Sequence, residues 1–269
     1  MPRALVGAPR VLLVTGTDTD VGKTIATAAL AAALTAGGRS VAVYKPVQTG
    51  VSGDAPGDAA EVRRLAGTGG VHEGIRLTEP MAPVPAAVVD GAELPSLEQH
   101  VQRVHGLAEA HDHVLVEGAG GLLVELDGAG NTLAELAGAL APDAAVVLVA
   151  RSALGTLNHV ALTLEALERR GLPVLGLVIG SWPEAPDAVE LSNREHFAAL
   201  DTPLLAAIPA GAAALPPKVF RKRSAGWFGA PPDPPRRTRP LLATQFPSED
   251  AVVVMSRKGN RVMGAGVQF

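Results

Sequence analysis

Residues 11–38 read VLLVTGTDTDVGKTIATAALAAALTAGG, and the parsing of this stretch decides the fold. Residues 11–15, VLLVT, form a continuous apolar run of strand length. Thr24 to Ala36 is rich in Ala and Leu and stops at Gly37-Gly38, where glycine accepts the backbone that ends a helix. Between them lies GTDTDVGKT (16–24), a turn with Gly22-Lys23-Thr24 at the strand-to-helix junction. In this order the free N–H groups of the turn and first helical residues point at one place, and the helix dipole favours an anion there. Lys23 would reach the β and γ phosphates of a nucleotide, and the Thr24 hydroxyl would bind Mg²⁺. The count is unusual: the usual loop has four residues between its first Gly and Gly-Lys-Ser/Thr. Here Thr17 to Val21, five residues, separate Gly16 from Gly22.

Outward from this unit the same alternation recurs. Apolar runs at 40–45, 113–118, 144–150, 174–180 and 204–209 are mostly continuous rather than alternating, as strands buried on both faces require. Helical stretches lie at Pro95 to Ala110, Asn131 to Leu140, Thr156 to Arg170 and Asp187 to Leu200. The pattern predicts an α/β fold: a three-layer, open, mostly parallel sheet of the P-loop nucleoside triphosphate hydrolase type. Aromatics make up only 3% of the chain against 47% hydrophobic residues, so the core must be built from Ala, Val, Leu and Ile. Ligands of such sheets bind beyond the carboxyl ends of the strands, which is where chemistry is to be sought.

Three positions stand out there. Lys45 ends the second run, in YKPVQTG, either as a surface lysine or as an ammonium on the rim of the phosphate loop. Glu117 ends the third, in VLVEGAGG; a carboxylate followed by small residues suits a Mg²⁺ ligand beside nucleotide, or a loop acid that caps N–H groups. Asp58-Ala-Ala-Glu61 has capping-box spacing, so Asp58 reads as structural from pattern alone. The pair His111 and His113 lacks a third ligand nearby and does not make a metal site.

Composition bounds the rest. The chain has no cysteine, which excludes disulfides, thiolate metal sites and a cysteine nucleophile. A net charge of -4 argues against nucleic-acid binding by the whole chain. No apolar run approaches bilayer-spanning length and the N-terminus lacks the features of a signal peptide, so a cytoplasmic protein with no membrane partner is expected. Residues 1–217 form the expected P-loop domain. From 218 to 269 there are ten Lys/Arg against three Asp/Glu, with PPDPPRRTRP in the middle. That basic extension cannot easily bury a core and is expected to be poorly ordered, although VVVM (252–255) could form one strand.

Taken together, GTDTDVGKT, YKPVQTG, VEGAGG and LGTLNH (154–159) resemble the dethiobiotin synthetase family in order and spacing, from about Val11 to Gly211. The lengthened loop is part of the match. The resemblance implies a single α/β domain, usually a homodimer, that closes a ureido ring on 7,8-diaminopelargonate from CO₂ and ATP. The amine captures CO₂ as a carbamate, ATP phosphorylates it, and the second amine attacks the mixed anhydride. It assigns Mg²⁺ to Thr24, Asp58 and Glu117, overturning the purely structural reading of Asp58. Lys45 falls on the catalytic lysine, with Lys23 sharing the charge stabilisation, and Thr49 on a hydroxyl that contacts substrate. Asp20, Val21, Gly22, Lys23, Thr24 and Ile25 would line the phosphates, together with Glu117, Gly118, Ala119 and Gly120. Gly155, Thr156, Leu157 and Asn158 resemble the helix start that receives the substrate carboxylate across the subunit interface.

The chain departs from the family where many members carry an adenine-reading Asn after the fifth strand; here Gly180-Ser181-Trp182 stands instead. Weaker base selectivity is therefore expected, with Pro209, Ala210 and Gly211 left to make main-chain contacts near the base. Two rival readings remain. An amidoligase of the cobyrinic acid type needs a cysteine to release ammonia from glutamine, and this chain has none. A partitioning-type ATPase usually carries a second lysine early in the loop, where this chain has Thr17-Asp18.

Overall fold

In the computed structural model, residues 1–229 are described, together with four two-residue strands further along the chain. The chain divides into two compact units, Met1–Pro232 and Asp233–Phe269. The first is built on seven strands: β1 (Val11–Gly16), β2 (Val41–Gln48), β3 (Gly70–Arg76), β4 (His113–Gly121), β5 (Ala144–Ala150), β6 (Val174–Trp182) and β7 (Leu204–Pro209). They hydrogen-bond in the order β3-β2-β4-β1-β5-β6-β7, and every pairing is parallel. β4 lies between β1 and β2, so the order turns back beside β1. The carboxyl ends of β1, β2 and β4 thus flank one crevice, where sheets of this kind bind ligands.

Strand alternation distributes the core. On β1, β2 and β4, residues such as Val14, Val43 and Leu115 enter one cluster with helices α1 (Lys23–Ala36) and α2 (Asp58–Ala66). Their neighbours Leu13, Tyr44 and Val116 enter another with α3 (Pro83–Asp90), α4 (Leu97–Ala110) and α5 (Leu133–Ala139). The latter face continues under α6 (Thr156–Glu168) and α7 (Ala188–Ala198), around Leu148, Val160, Ile179 and Phe197. The result is a three-layer α/β/α sandwich of small aliphatic residues, as the composition requires. The helix starts follow sequence rules: Ser96, Thr132 and Asp187 each form a capping box with Gln99, Glu135 and Glu190.

Two features differ from the sequence reading. β3, GVHEGIR, is a seventh strand that no apolar run announces, because it lies at the sheet edge with most of its side chains partly exposed. Second, the first compact unit runs on past residue 217. Helix α8 (Pro217–Trp227) begins there and belongs to the first unit, with Phe220 and Phe228 buried and Phe220 edge-on to Trp227 at 5.1 Å. Averaging over a basic stretch hides the aromatic residues that dock it on α1 and α2.

In the second unit, β8 (Val253–Val254) pairs antiparallel with β11 (Gly266–Val267), and β9 (Arg257–Lys258) with β10 (Arg261–Val262). The strand expected within 252–255 falls on β8. The expected poor order of the remaining tail lies outside the described residues.

Candidate active site

Lys45 lies on the same face of β2 as Val41 and Val43, and Glu117 follows Leu115 on β4, so both emerge beneath α1 and α2. Those helices begin with the residues they meet: Thr24 in the first turn of α1 and Asp58 at the first position of α2. Lys45 Nζ stands 2.7 Å from Asp58 Oδ2 and 2.9 Å from Glu117 Oε1, and donates to the Gly118 carbonyl at 3.1 Å. Thr24 Oγ1 lies 3.0 Å from Asp58 Oδ1 and 2.9 Å from Glu117 Oε1. A hydroxyl has one proton, so it satisfies one of these carboxylate oxygens at a time. The surplus lone pairs, all on hard oxygen donors, suit a small divalent cation such as Mg²⁺.

The electrostatics of the cluster are those of a site rather than of a surface. Burial works against the Lys45 ammonium, but Glu117 and Asp58 overcome it and hold its pKa above the ordinary lysine value. Burial likewise opposes the Asp58 carboxylate, and Lys45 and Thr24 still draw its pKa below the ordinary value. Lys23 goes the other way: burial and the nearby Lys45 lower its pKa, and its Nζ rests 2.8 Å from the Asp18 carbonyl. An anion between the two lysines would relieve that repulsion.

These residues line a cleft of about 710 Å³. The phosphate loop supplies Asp20, Gly22, Lys23, Thr24 and Ile25; Lys45, Thr49, Asp58, Glu117, Ala119 and Gly120 complete the polar side. Met81, Pro83 and Val124 add an apolar wall. The β4 side is shaped by a register break: Val14 pairs with Glu117 but Gly16 with Gly121, so Gly118, Ala119 and Gly120 leave the ladder. Gly120 has φ 64°, backbone open chiefly to glycine.

Comparison with known proteins bears on what this cleft does. Residues 10–217 match a family model described as an AAA domain. The chain is 51% identical over 224 residues to the ATP-dependent dethiobiotin synthetase BioD of Streptomyces coelicolor, covering 83% of this chain and 93% of that protein. It is 55% identical over 218 residues to the enzyme of the same name from Mycobacterium avium, covering 81% and 95%. The chain belongs to the ATP-dependent dethiobiotin synthetase family. A likeness of fold alone links it to the septum site-determining protein MinD of Pyrococcus horikoshii, solved with Mg-ADP. That match has a TM-score of 0.50 at 17% identity and covers 81% of this chain and 92% of the other.

The remaining positions expected from the sequence lie at separate places in the structure. Val21 is buried, and its carbonyl packs on Gly180: a Cβ at Gly180 would lie 1.9 Å from it. A Cβ on Gly22 would in turn meet the Gly180 carbonyl at 2.8 Å. The space beside Gly180 is therefore filled by the phosphate loop itself, and no side chain fits there. Ser181 is exposed; Pro209 ends β7 and Ala210 and Gly211 follow it, the Ala210 N–H donating to the Trp182 carbonyl at 2.7 Å. These do not line the cleft around Lys45. Nor do Gly155, Thr156, Leu157 and Asn158 at the start of α6, beside the highly exposed Leu154.

Asp58 does not cap its own helix as the capping-box spacing suggested. The N-cap is Gly57, the carboxylate turns to Lys45 and Thr24, and Glu61 pairs with Arg64 instead. His111 and His113 each engage a backbone carbonyl, of Leu107 and Pro9. Sequence reasoning missed Arg151, which follows the β5 run and was within reach of a search of strand ends. Its guanidinium holds the Asp18 carboxylate at 2.8 Å, tying the phosphate loop to β5. It also missed Gln48, the last residue of β2, which lines the cleft; a lone glutamine at a strand end gives no signal.

Proposed function

We propose that the cleft is where this chain closes the ureido ring of dethiobiotin from 7,8-diaminopelargonate and CO₂, releasing ADP and phosphate in biotin biosynthesis. The observation that carries this reading is the position of Lys45, a buried ammonium between two carboxylates and beside the phosphate loop. ATP, a carbamate and the substrate carboxylate are all anions, and their mutual repulsion must be offset for them to meet. Lys23 holds the phosphates; Lys45 faces the carbamate oxygen as it attacks the γ phosphorus and ADP leaves. Thr24, Asp58 and Glu117 would hold Mg²⁺, which supplies further charge neutralisation on the phosphates. Thr49 contacts the diamine, and Met81, Pro83 and Val124 give its aliphatic chain an apolar surface. The second amine then attacks the carbamoyl carbon and phosphate departs. Because both ends belong to one molecule, orientation supplies much of the rate.

The family resemblance extends the reading to a homodimer in which Gly155–Asn158 receive the substrate carboxylate from across the interface. The N-terminus of α6 suits an anion, and the exposed Leu154 and Leu162 support an apolar contact there. A cytoplasmic enzyme fits these substrates, and no helix among the described residues is long and apolar enough to cross a membrane. With no side chain at Gly180, base recognition falls to main-chain groups of Pro209, Ala210 and Gly211, so other nucleoside triphosphates also support turnover. The reading is tested by supplying isotopically labelled bicarbonate with the diamine and ATP. The label should appear in the ring carbonyl of dethiobiotin; unlabelled product, or none, would refute it.

A further inference from the structure

Helix α2 starts without a capping side chain of its own. Its N-cap, Gly57, is extended and offers no oxygen to the first turn. The missing acceptor comes from a different element. Gln48, the last residue of β2 and 5% exposed, places Oε1 2.7 Å from the Asp58 nitrogen, so that the Asp58 N–H donates to it. The same side chain donates through Nε2 to the Thr49 carbonyl at 3.0 Å. Gly57 makes the approach possible, since a Cβ there would lie 2.7 Å from Gln48 Oε1 and 2.8 Å from Cδ. Between the two ends, residues 49–57 form a largely exposed loop, tied down by Arg76 at the carbonyls of Gly53 (3.1 Å) and Ala55 (2.6 Å).

The Asp58 carboxylate is held by Lys45 and Thr24. Both of these side chains are also claimed by the ligands of the cleft. The backbone of Asp58 has a separate anchor, the side-chain amide of Gln48, which also lines the cleft. We propose that Gln48 is a positioning residue for the reaction: its amide holds the cation-binding Asp58 and the substrate-side Thr49 in fixed relation to Lys45. The proposal rests on the assignment of Asp58 to the cation and Thr49 to the diamine.

Two readouts test it on the full chain. In nucleotide-free protein, Gln48→Met should speed hydrogen exchange at the Asp58 amide about tenfold, the equilibrium worth of one lost hydrogen bond. Gln48→Glu, which keeps an acceptor, should leave that amide protected. In turnover, Gln48→Met should raise the Mg²⁺ concentration needed for half-maximal rate about tenfold, the scale of losing a group that orients a metal ligand. Its kcat at saturating Mg²⁺ should fall much less. Gly57→Ala, which displaces the Gln48 amide without touching it chemically, should reproduce both effects and serves if Gln48→Met does not fold. Unchanged exchange at Asp58, or a loss of kcat with an unchanged Mg²⁺ requirement, would overturn the proposal. Asp58→Asn separates the two levels. If it leaves the Mg²⁺ requirement alone, the assignment of Asp58 fails and the proposal fails with it. If it raises the requirement while Gln48→Met does not, only the proposal fails.

Discussion

Tyr44 and Lys45 are consecutive residues of β2, and both are almost completely buried, yet they face opposite layers and meet different needs. The Tyr44 hydroxyl pairs with His100 Nδ1 at 2.8 Å in the layer under α4, a neutral contact between neutral groups. Burial pushes the tyrosine up to about 12 and holds His100 below the ordinary histidine value, so neither ionises near neutrality. This pair makes one hydrogen bond, and His100 Nε2 has no hydrogen-bond partner among the described residues. Lys45 instead needs two carboxylates and a carbonyl. Buried ion clusters are weak sources of stability, because desolvation offsets much of the attraction. Such a cluster beside a phosphate loop is better explained by chemistry than by folding, while Tyr44–His100 is explained by folding alone.

Substitution at these two residues should have opposite consequences. Lys45→Ala should lower kcat by on the order of 10²- to 10³-fold, the usual effect of losing one charge-stabilising donor, measured as steady-state dethiobiotin formation. Near-normal turnover would return Lys45 to the role of a structural ion. Tyr44→Phe should do the opposite. It leaves His100 Nδ1 without a partner and costs about 1–3 kcal/mol in denaturant unfolding, with turnover close to that of the parent.

Acid titration sharpens the contrast with a smaller effect. The folded pKa of His100 is depressed, so the unfolded chain takes up its proton first as pH falls below 6.5. The associated stability is present above 6.5 and lost progressively below it. Asp58 is depressed too, and its contribution is lost only below its ordinary 3.8, as pH falls through the folded value. His100→Gln should therefore flatten the stability profile just below pH 6.5, and Asp58→Asn should flatten it only in stronger acid. Equal profiles at the higher pH for His100→Gln and the parent would remove the buried-histidine account.

The architecture was legible because buried parallel strands are continuous apolar runs, and six of the seven could be read that way. β3 escaped because an edge strand has no need of such a run, and α8 because its docking aromatics sit among arginines and lysines. In the site, Lys45 and Glu117 announced themselves as charges ending apolar strands. Asp58 did not from pattern alone, since its spacing imitates a capping box; the family resemblance grouped it with Thr24 and Glu117, and the fold brings it to Lys45. Gln48 was illegible because its partner lies across a loop, at a helix whose own cap is a glycine. Gly180 was visible as a missing amide, but its cause, the Val21 carbonyl packed against it, exists only in three dimensions.

On the proposed mechanism, the lysine-carboxylate cleft activates a carbamate rather than simply hydrolysing nucleotide. Phosphate release, followed with ATP and Mg²⁺ present throughout, tests it most directly. The rate should stay at background with diaminopelargonate alone or bicarbonate alone, and rise only when both are supplied. Phosphate release from nucleotide alone, unchanged by either addition, would contradict it.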